Sequence, residues 1–582
     1  MESTFNTESL HLYALLLIFI LINVRYPLKK KYADFRYSRT YSRPSTNISI
    51  ERENMTSLFR EHHFQRGRLY VPFLTIVLLP LWTTLLLSQP IPNNSAALTI
   101  LHWNDFHAQN IPLILKDSSQ HSYKVGGIST LLGYINTIKR QHDNVALFDA
   151  GDDFQGTPIS SLTYGRSQIE LTGILHPDAM VLGNHEFDYG IDSLQANIAR
   201  AQFRILCANV VNTETGMPLS IPYLIKMFGK IKIGIIGLSP PDLELLTLRS
   251  NLRGYRIRDL DSSITLSLHE LKKREHPDLI ILLSHMGLGE DTLLAERRDD
   301  IDIIVGGHDH IALFSPIKKN RTIIVQAGAK GQYLGKLDLI VDCRGDSIVK
   351  FTGSLVETRV DNIPPDSMAT QKVADYENIV NAKLGTQIGT LLTRWDRRQG
   401  EKVEMNIGDF ECDAMRAATG TDIAFHNVGG IRKDLDAGPI LLRDIWEINP
   451  FGNTLITFTV TGGVLKKMIE FQSGVRAREF AQISGMRYVF DSSKPEGLRL
   501  VSIQVSGHPI IDSARYSLCS NNYMGSHIKE FFGIPSGNVH IIETGLIDRD
   551  VLIDYIKRLG TINSTIEGRI VDVSSNESQQ RK

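Results

Sequence analysis

Asp105 and His107, Asp152, Asn184 and His185, His285, and His308 with His310 are of the residue types that hold metal ions, and each group follows a short apolar run. Leu98 to Leu101 leads into Asn104-Asp105-Phe106-His107, and Asn144 to Phe148 into Asp149-Ala150-Gly151-Asp152-Asp153. Ala179 to Leu182 leads into Gly183-Asn184-His185-Glu186-Phe187-Asp188, Leu279 to Leu283 into Ser284-His285-Met286-Gly287, and Ile301 to Val305 into Gly306-Gly307-His308-Asp309-His310. In an extended turn, residues two apart face the same side, so the Asp-x-His and His-x-His pairs can each aim both side chains into one crevice. Carboxylate, amide oxygen and imidazole together suit Zn, Mn, Fe or Co, whereas Ca takes oxygens only. Two such ions sharing a carboxylate activate a water and hold both oxygens of an in-line phosphoryl displacement, so the chemistry indicated is hydrolysis of a phosphate ester. His185, with Asp188 three positions on, forms an oriented general acid or electrostatic pair.

Singly, each tip has a structural explanation: His285 as a core histidine, Asp152 as a helix N-cap, Gly306-Gly307 as a turn. Five of them at one end of one predicted sheet point instead to a metal site. His102, His121, His142, His176 and His426 share no ligand spacing and read as structural or exposed.

The elements that must position these tips follow from periodicity. The apolar runs predict short buried strands of an α/β sheet, whose ligands gather above the strands' carboxyl ends. Ile128, Leu131, Leu132, Ile135 and Ile138 recur at helical spacing between the first two strands. Further strands are predicted at Thr322 to Gln326 and Lys336 to Val341, with the first domain closing near Glu357. Met368, Val373, Tyr376 and Ile379 follow a Pro-Pro turn and predict a helix that links two domains. The expected organisation is 1–95 as a signal or anchor region, 96–360 as the metal-binding domain, 361–389 as the linker helix, 390–573 as a second domain, and 574–582 as a polar tail.

A hydrophobic fraction of 42% and a charged fraction of 22% are those of ordinary folded domains. The net charge of -1 gives no overall pull toward nucleic acid, so no nucleic-acid partner is expected. Cys207, Cys343, Cys412 and Cys519 lie far apart and read as buried small hydrophobes. Apolar stretches at Leu10 to Val24 and Leu69 to Leu87 flank a basic segment. Arg66 and Arg68 form the positive flank of a secretory leader, and Ser95-Ala96-Ala97 offers small residues for cleavage. Translation from Met55 would begin just before that leader. Whether it is cleaved or kept as an N-terminal membrane anchor, the body is expected to be exported: periplasmic, extracellular or outward-facing.

Taken together, Asn-Asp-Phe-His, Gly-Asp-Asp-Phe-Gln-Gly, Gly-Asn-His-Glu-Phe-Asp, Ser-His-Met-Gly and Gly-Gly-His-Asp-His make the chain resemble the 5'-nucleotidase family of calcineurin-like metallophosphoesterases. That family includes periplasmic UDP-sugar hydrolases and ecto-5'-nucleotidases. The resemblance implies an N-terminal four-layer αββα sandwich, a linker helix and a C-terminal α+β substrate-binding domain. It implies two divalent metal ions, Zn, Mn or similar. Asp105, His107, Asp152 and His310 would hold one ion, and Asp152, Asn184, His285 and His308 the other, with Asp152 bridging. His185, oriented by Asp188, would stabilise the transition-state charge. Several members carry Gln or Asn where His310 stands.

The second domain carries Asn427-Val428-Gly429-Gly430-Ile431-Arg432, in which glycines permit close backbone approach and Arg432 offers a planar charged fork. It resembles the family's loop whose Asn and Arg contact nucleoside and phosphate. Phe451 and Tyr523 match two aromatics that clamp a base, and the substrate implied is a nucleotide. Two departures stand out: Met524-Gly525-Ser526-His527-Ile528-Lys529 replaces a Gly-Gly-Asp-Gly run whose Asp binds ribose, and Glu401 replaces an Arg, for which Arg397, Arg398 or Lys402 are substitutes. The expected activity is therefore a 5'-nucleotidase, with 2',3'-cyclic-nucleotide phosphodiesterase and UDP-sugar diphosphohydrolase as alternatives. A non-catalytic surface nucleotide binder and a membrane-tethered adhesion protein are the readings from other classes.

Overall fold

The computed structural model describes residues 94–397 and 404–574. The apolar stretches before residue 94, Arg398, Glu401, Lys402 and all but the first residue of the polar tail lie outside the described residues. Among the described residues, no helix is long and apolar enough to cross a membrane.

Twelve strands build the two large sheets of the first domain: β1 (Ser95–Trp103), β2 (Val145–Asp149), β3 (Ala179–Val181), β4 (Ile205–Leu206), β5 (Tyr223–Phe228), β6 (Ile231–Leu238), β7 (Leu279–Ser284), β8 (Ile303–Val305), β9 (Ile317–Lys319), β10 (Thr322–Val325), β11 (Tyr333–Asp342) and β12 (Ser347–Glu357). They form two six-stranded sheets, ordered β12-β11-β1-β2-β3-β4 and β9-β10-β8-β7-β6-β5. β1 through β4 run parallel, as do β6, β7, β8 and β10. The tips therefore come from two sheets rather than the single predicted one. A run such as Leu-Ile-Ile-Leu-Leu states that a strand is buried on both faces and not which sheet it joins.

Alternation along each strand explains the layers. Leu98 and Ile100 of β1 meet Leu279, Ile281 and Leu283 of β7 in the core between the sheets. Leu101 and Trp103 point the other way, into helices Ile128–Lys139, Arg166–Leu175 and Ser367–Leu384. Ile280 and Leu282 point into helices Leu260–Arg274 and Leu288–Arg297 on the far side. Helix, sheet, sheet, helix is thus the order required by chains of apolar residues that need cover on both faces.

Ser95, Ala96 and Ala97, expected at a cleavage region, are the start of β1 and pair with Asp342, Val341 and Ile340. Cleavage there would cut into the sheet. The helix Ser367–Leu384 is capped by Asp366, whose side chain accepts the Ala369 N–H. Its buried stripe is Ala369, Val373, Tyr376, Val380 and Leu384, while Met368 and Ile379, expected to define its apolar face, are 70% and 44% exposed. The true stripe keeps the three- and four-residue spacing that a packed helix needs, and the mixed set did not.

The second domain centres on a five-stranded mixed sheet of β13 (Ile423–Asn427), β14 (Thr454–Thr461), β15 (Ala481–Ser484), β16 (Arg515–Asn521) and β17 (Ile542–Ile547), ordered β15-β13-β16-β14-β17. Helix Gly462–Gln472 covers one face through Leu465, Met468 and Ile469. Cys412 and Met415 of helix Asn406–Thr419 cover the other, beside Cys519. Cys207 is buried as well, Cys343 partly so, and all four thiols are free.

Candidate metal centre and substrate cavity

The loops after β1, β2 and β3 meet those after β7 and β8 at one end of the sandwich. Backbone bonds lock them: Asp105 N–H donates to Gly151 O at 2.8 Å, His107 N–H to Asp152 O at 2.9 Å, and Gly287 N–H to Gly307 O at 3.1 Å. The ligand-type residues do not sit in extended turns. Asp105, His107, Asp152, His308 and His310 have φ of 51, 51, 60, 92 and 58°, in the left-handed region. Each such residue costs about 1–3 kcal/mol, and such strain persists where surrounding structure fixes it for function.

Three groups of side chains converge: Asp105, His107 and His310; Asp152, His285 and His308; and His107, Asp152 and His185. His107 Nε2 and His310 Nε2 are 2.9 Å apart, and His310 Nε2 is 3.3 Å from Asp105 Oδ1. Asp152 Oδ2 lies 3.0 Å from His285 Nε2, and His308 Nδ1 lies 3.0 Å from Asn184 Oδ1. Asp105 Oδ1 is buried without a hydrogen-bond donor. Burial works against charge on His285, yet Asp152 and Asp105 reverse this and lift its pKa to about 10, so the two carboxylates favour a positive charge beside them. Burial and the neighbouring His310 push His107 the other way, leaving a neutral ring with a free lone pair. Paired ring nitrogens, an orphaned carboxylate oxygen and carboxylates that favour a positive charge beside them are what divalent ions require.

Around these groups lies a brace that no sequence motif assigned. Asn104 donates to Asp105 Oδ2 at 2.6 Å and accepts the Ala327 N–H at 2.7 Å. The His285 Nδ1 nitrogen faces Ala150 O at 2.6 Å, which presents Nε2 to Asp152. Asp309 accepts the Leu288 N–H at 2.8 Å, joining the loops after β7 and β8. Glu186, fully buried, accepts four backbone N–H groups: Gly183 at 2.7 Å, Asp152 at 3.0 Å, Asp153 at 2.8 Å and Phe154 at 3.1 Å. Its only sequence signal was a charged residue inside an apolar-flanked motif. At Gly183 a Cβ would fall 2.2 Å from Asp152 Oδ1, so glycine is needed for the carboxylate to reach its place. Glu186→Gln turns an acceptor toward two N–H groups into a donor and is expected to cost about 2–4 kcal/mol, read as a lowered denaturation midpoint.

Residues 98–312 match the family model described as calcineurin-like phosphoesterase, and residues 383–533 match that described as 5'-nucleotidase, C-terminal domain. The chain thus carries a calcineurin-like phosphoesterase domain followed by a 5'-nucleotidase C-terminal domain. A snake venom 5'-nucleotidase from Gloydius brevicauda is 29% identical over 538 residues, spanning 82% of this chain and 89% of its own. A 5'-nucleotidase-related protein from Glossina morsitans morsitans is 27% identical over 531 residues, spanning 81% and 94%. The structure of a 5'-nucleotidase precursor from Thermus thermophilus has a TM-score of 0.74 at 29% identity, spanning 82% of this chain and 99% of that one. The chain is a metal-dependent hydrolase of the metallophosphoesterase class with an N-terminal αββα sandwich and a C-terminal 5'-nucleotidase domain.

In this hydrolase, a cavity of about 250 Å³ opens between the convergent Asp and His side chains and the second domain. Asp152, Asn184, His185, Asp188, His308 and His310 line one side, and Asn427, Arg432, Phe451 and Tyr523 the other. His185 stands between the two: its ring centroid is 5.2 Å from that of His107 and 6.0 Å from that of Phe451. Its Nδ1 is 2.6 Å from Asp188 Oδ2. Arg432 lies over Phe451, 5.8 Å from the ring centroid.

The second-domain residues are held differently from one another. The Asn427 side chain is used within the protein, accepting from Asn521 at 3.0 Å and donating to Glu479 at 3.1 Å. The Tyr523 hydroxyl donates to Leu245 O of the first domain at 3.1 Å, and its ring packs on His527 and Phe531. Most of the Met524–Lys529 departure is core: Met524, Gly525, His527 and Ile528 are buried while Lys529 is exposed, and a Cβ on Gly525 would fall 2.3 Å from Ile456 Cδ1. His527 Nε2 lies 3.1 Å from Glu244 O. Arg397 is paired with Asp434 at 3.2 Å and bonded to Ile431 O, away from the cavity lining. Arg478, Glu479, Asn453 and Asn251 line the cavity and were missed from sequence, where they read as ordinary polar loop residues.

Proposed function

We propose that the chain hydrolyses nucleoside 5'-monophosphates to nucleoside and phosphate, outside the cytoplasm. The observation that carries this is one cavity with metal-ligand side chains on one wall and an arginine with two aromatics on the other. Asp105, His107, Asp152 and His310 would hold one divalent ion, and Asp152, Asn184, His285 and His308 the second. When bound, the ions supply Lewis acidity to the phosphoryl oxygens and lower the pKa of water.

The chain's own residues do the rest. Arg432 clamps the phosphate with a fork that stays charged. Hydrolysis breaks the P–O5' bond, and His185 Nε2–H donates to the phosphoryl oxygens as charge develops. Asp188 holds Nδ1, which fixes the ring's orientation for that donation. Phe451, beside His185 and Arg432, offers a face on which the base stacks. Phe451→Ala is expected to raise KM for 5'-AMP about tenfold with little change in kcat, the signature of lost ground-state stacking in steady-state kinetics. An exported location is supported by the venom relative and by the apolar stretches preceding the folded body.

The test is phosphate release from 5'-AMP by protein stripped with chelator and resupplied with Mn or Zn. Stripping should abolish release, and resupply should restore it. Failure on 5'-AMP with bis-p-nitrophenyl phosphate still cleaved would move the substrate to a 2',3'-cyclic nucleotide or a UDP-sugar. Failure on both would favour a non-catalytic nucleotide binder, a reading that the three convergent groups of ligand-type side chains oppose.

A further inference from the structure

Glu479 has no role in the chemistry above, yet it lines the substrate cavity. Its Oε2 is fixed by two donors, the Gly429 N–H at 2.8 Å and the Asn427 side-chain amide at 3.1 Å. A Cβ on Gly429 would fall 2.5 Å from that oxygen, so the glycine is what lets the carboxylate seat against the loop. Among the described residues nothing donates to the other oxygen, Oε1.

Its place in the cavity decides what it can meet. The loop that anchors Glu479 is the one carrying Arg432, three residues beyond Gly429. The preceding residue, Arg478, donates through Nε to the Tyr523 hydroxyl at 3.2 Å. Glu479 shares the cavity wall with Arg432, the cation assigned to the phosphate, and with Tyr523, a ring of the base wall, and acts electrostatically on both, so it stands within reach of each. A carboxylate repels phosphate, and it has no donor for base acceptors; what it seeks are neutral hydroxyl or N–H donors, with which it makes charge-assisted bonds. A nucleotide runs in the order phosphate, sugar, base, and the group at that middle position with two adjacent donors is the ribose.

We propose that Glu479 is the sugar-reading residue of this cavity, its open Oε1 accepting from the vicinal 2'- and 3'-hydroxyls, so that the enzyme selects ribonucleotides over analogues that lack those hydroxyls. This rests on the 5'-nucleotidase reading. Asn427 acts on the sugar only through Glu479, as a positioning residue.

The test compares kcat/KM of the full, Mn-loaded chain for 5'-AMP, 2',3'-dideoxy-5'-AMP, 5'-UMP and 2',3'-dideoxy-5'-UMP, in the natural protein and in Glu479→Gln. The natural protein should prefer the ribose form of each base by about 30-fold or more, and the variant by about threefold or less, because a site built to bond a hydroxyl rejects the analogue lacking it. Three results would overturn the proposal while leaving the nucleotidase reading intact. They are no ribose preference in the natural protein, a variant that loses all four substrates by one factor, and a change confined to the AMP-to-UMP ratio. The second would make Glu479 a brace for the Arg432 loop, and the third a base reader. If the natural protein releases phosphate from none of the four, the function reading and this one fall together.

Discussion

Asp152→Ala should reduce phosphate release by about four orders of magnitude or more, below what a single lost contact costs, because two metal sites lose one shared ligand. Asp152 belongs to two of the three convergent groups, and its carboxylate reaches His285 at 3.0 Å while accepting the His185 N–H at 2.9 Å. Its φ of 60° adds a separate cost, since alanine tolerates the left-handed region less well than aspartate. Asp152→Asn divides the two effects: asparagine keeps the backbone and loses the charge. Metal content by mass spectrometry should fall toward zero in the alanine variant and remain partly retained in the asparagine variant. Two ions held as tightly as in the natural protein would show that Asp152 does not bridge them.

His185→Ala should lower kcat by about 10²–10³-fold and leave metal content close to that of the natural protein, as for the loss of one donor to a developing oxyanion. His185 converges with His107 and Asp152, but its Nδ1 is committed to Asp188, and its Nε2 stands 3.9 Å from Asp152, on the side that faces the cavity. Burial disfavours charge on this ring, but Asp188 and Asp152 outweigh it and hold its pKa above the ordinary value of 6.5. A raised pKa means the charged donor is present below the raised value and is lost as pH rises through it. The alkaline limb of the kcat profile should therefore move toward 6.5 in Asp188→Asn, with the acid side little changed. Equal metal loss in the alanine variants of Asp152 and His185 would refute the separate role given to His185.

The ligand tips were legible in sequence because polar metal-binding residues ending apolar runs contradict simple burial and demand another cause. Leu279 to Leu283 was legible as a strand covered on both faces because five consecutive aliphatic residues leave no side for water. What the pattern could not carry was partnership. That Asp152 and His308 approach from different sheets depends on the pairing of β2 with β1 and of β8 with β7, contacts between residues far apart in the chain. The left-handed backbone at His107 and His310 was invisible too, since that region is uncommon for any residue but glycine and the enrichment of His there does not single out individual histidines. Glu186 and Glu479 were hidden for a shared reason: a carboxylate that accepts backbone N–H groups looks, in sequence, like any solvated charge. Met368 and Ile379 misled in the opposite sense, as apolar residues that the helix turns outward.

Where Tyr523 and His527 reach the first domain, both meet main-chain carbonyls, those of Leu245 and Glu244. Every amino acid supplies the same carbonyl, so the joint is written in side chains on one side and is blank on the other. Mutational drift at 244 and 245 leaves it intact as long as the short helix Leu243–Leu246 keeps its path. Heritable change in this latch must enter through 523 and 527, without a compensating partner substitution across the joint.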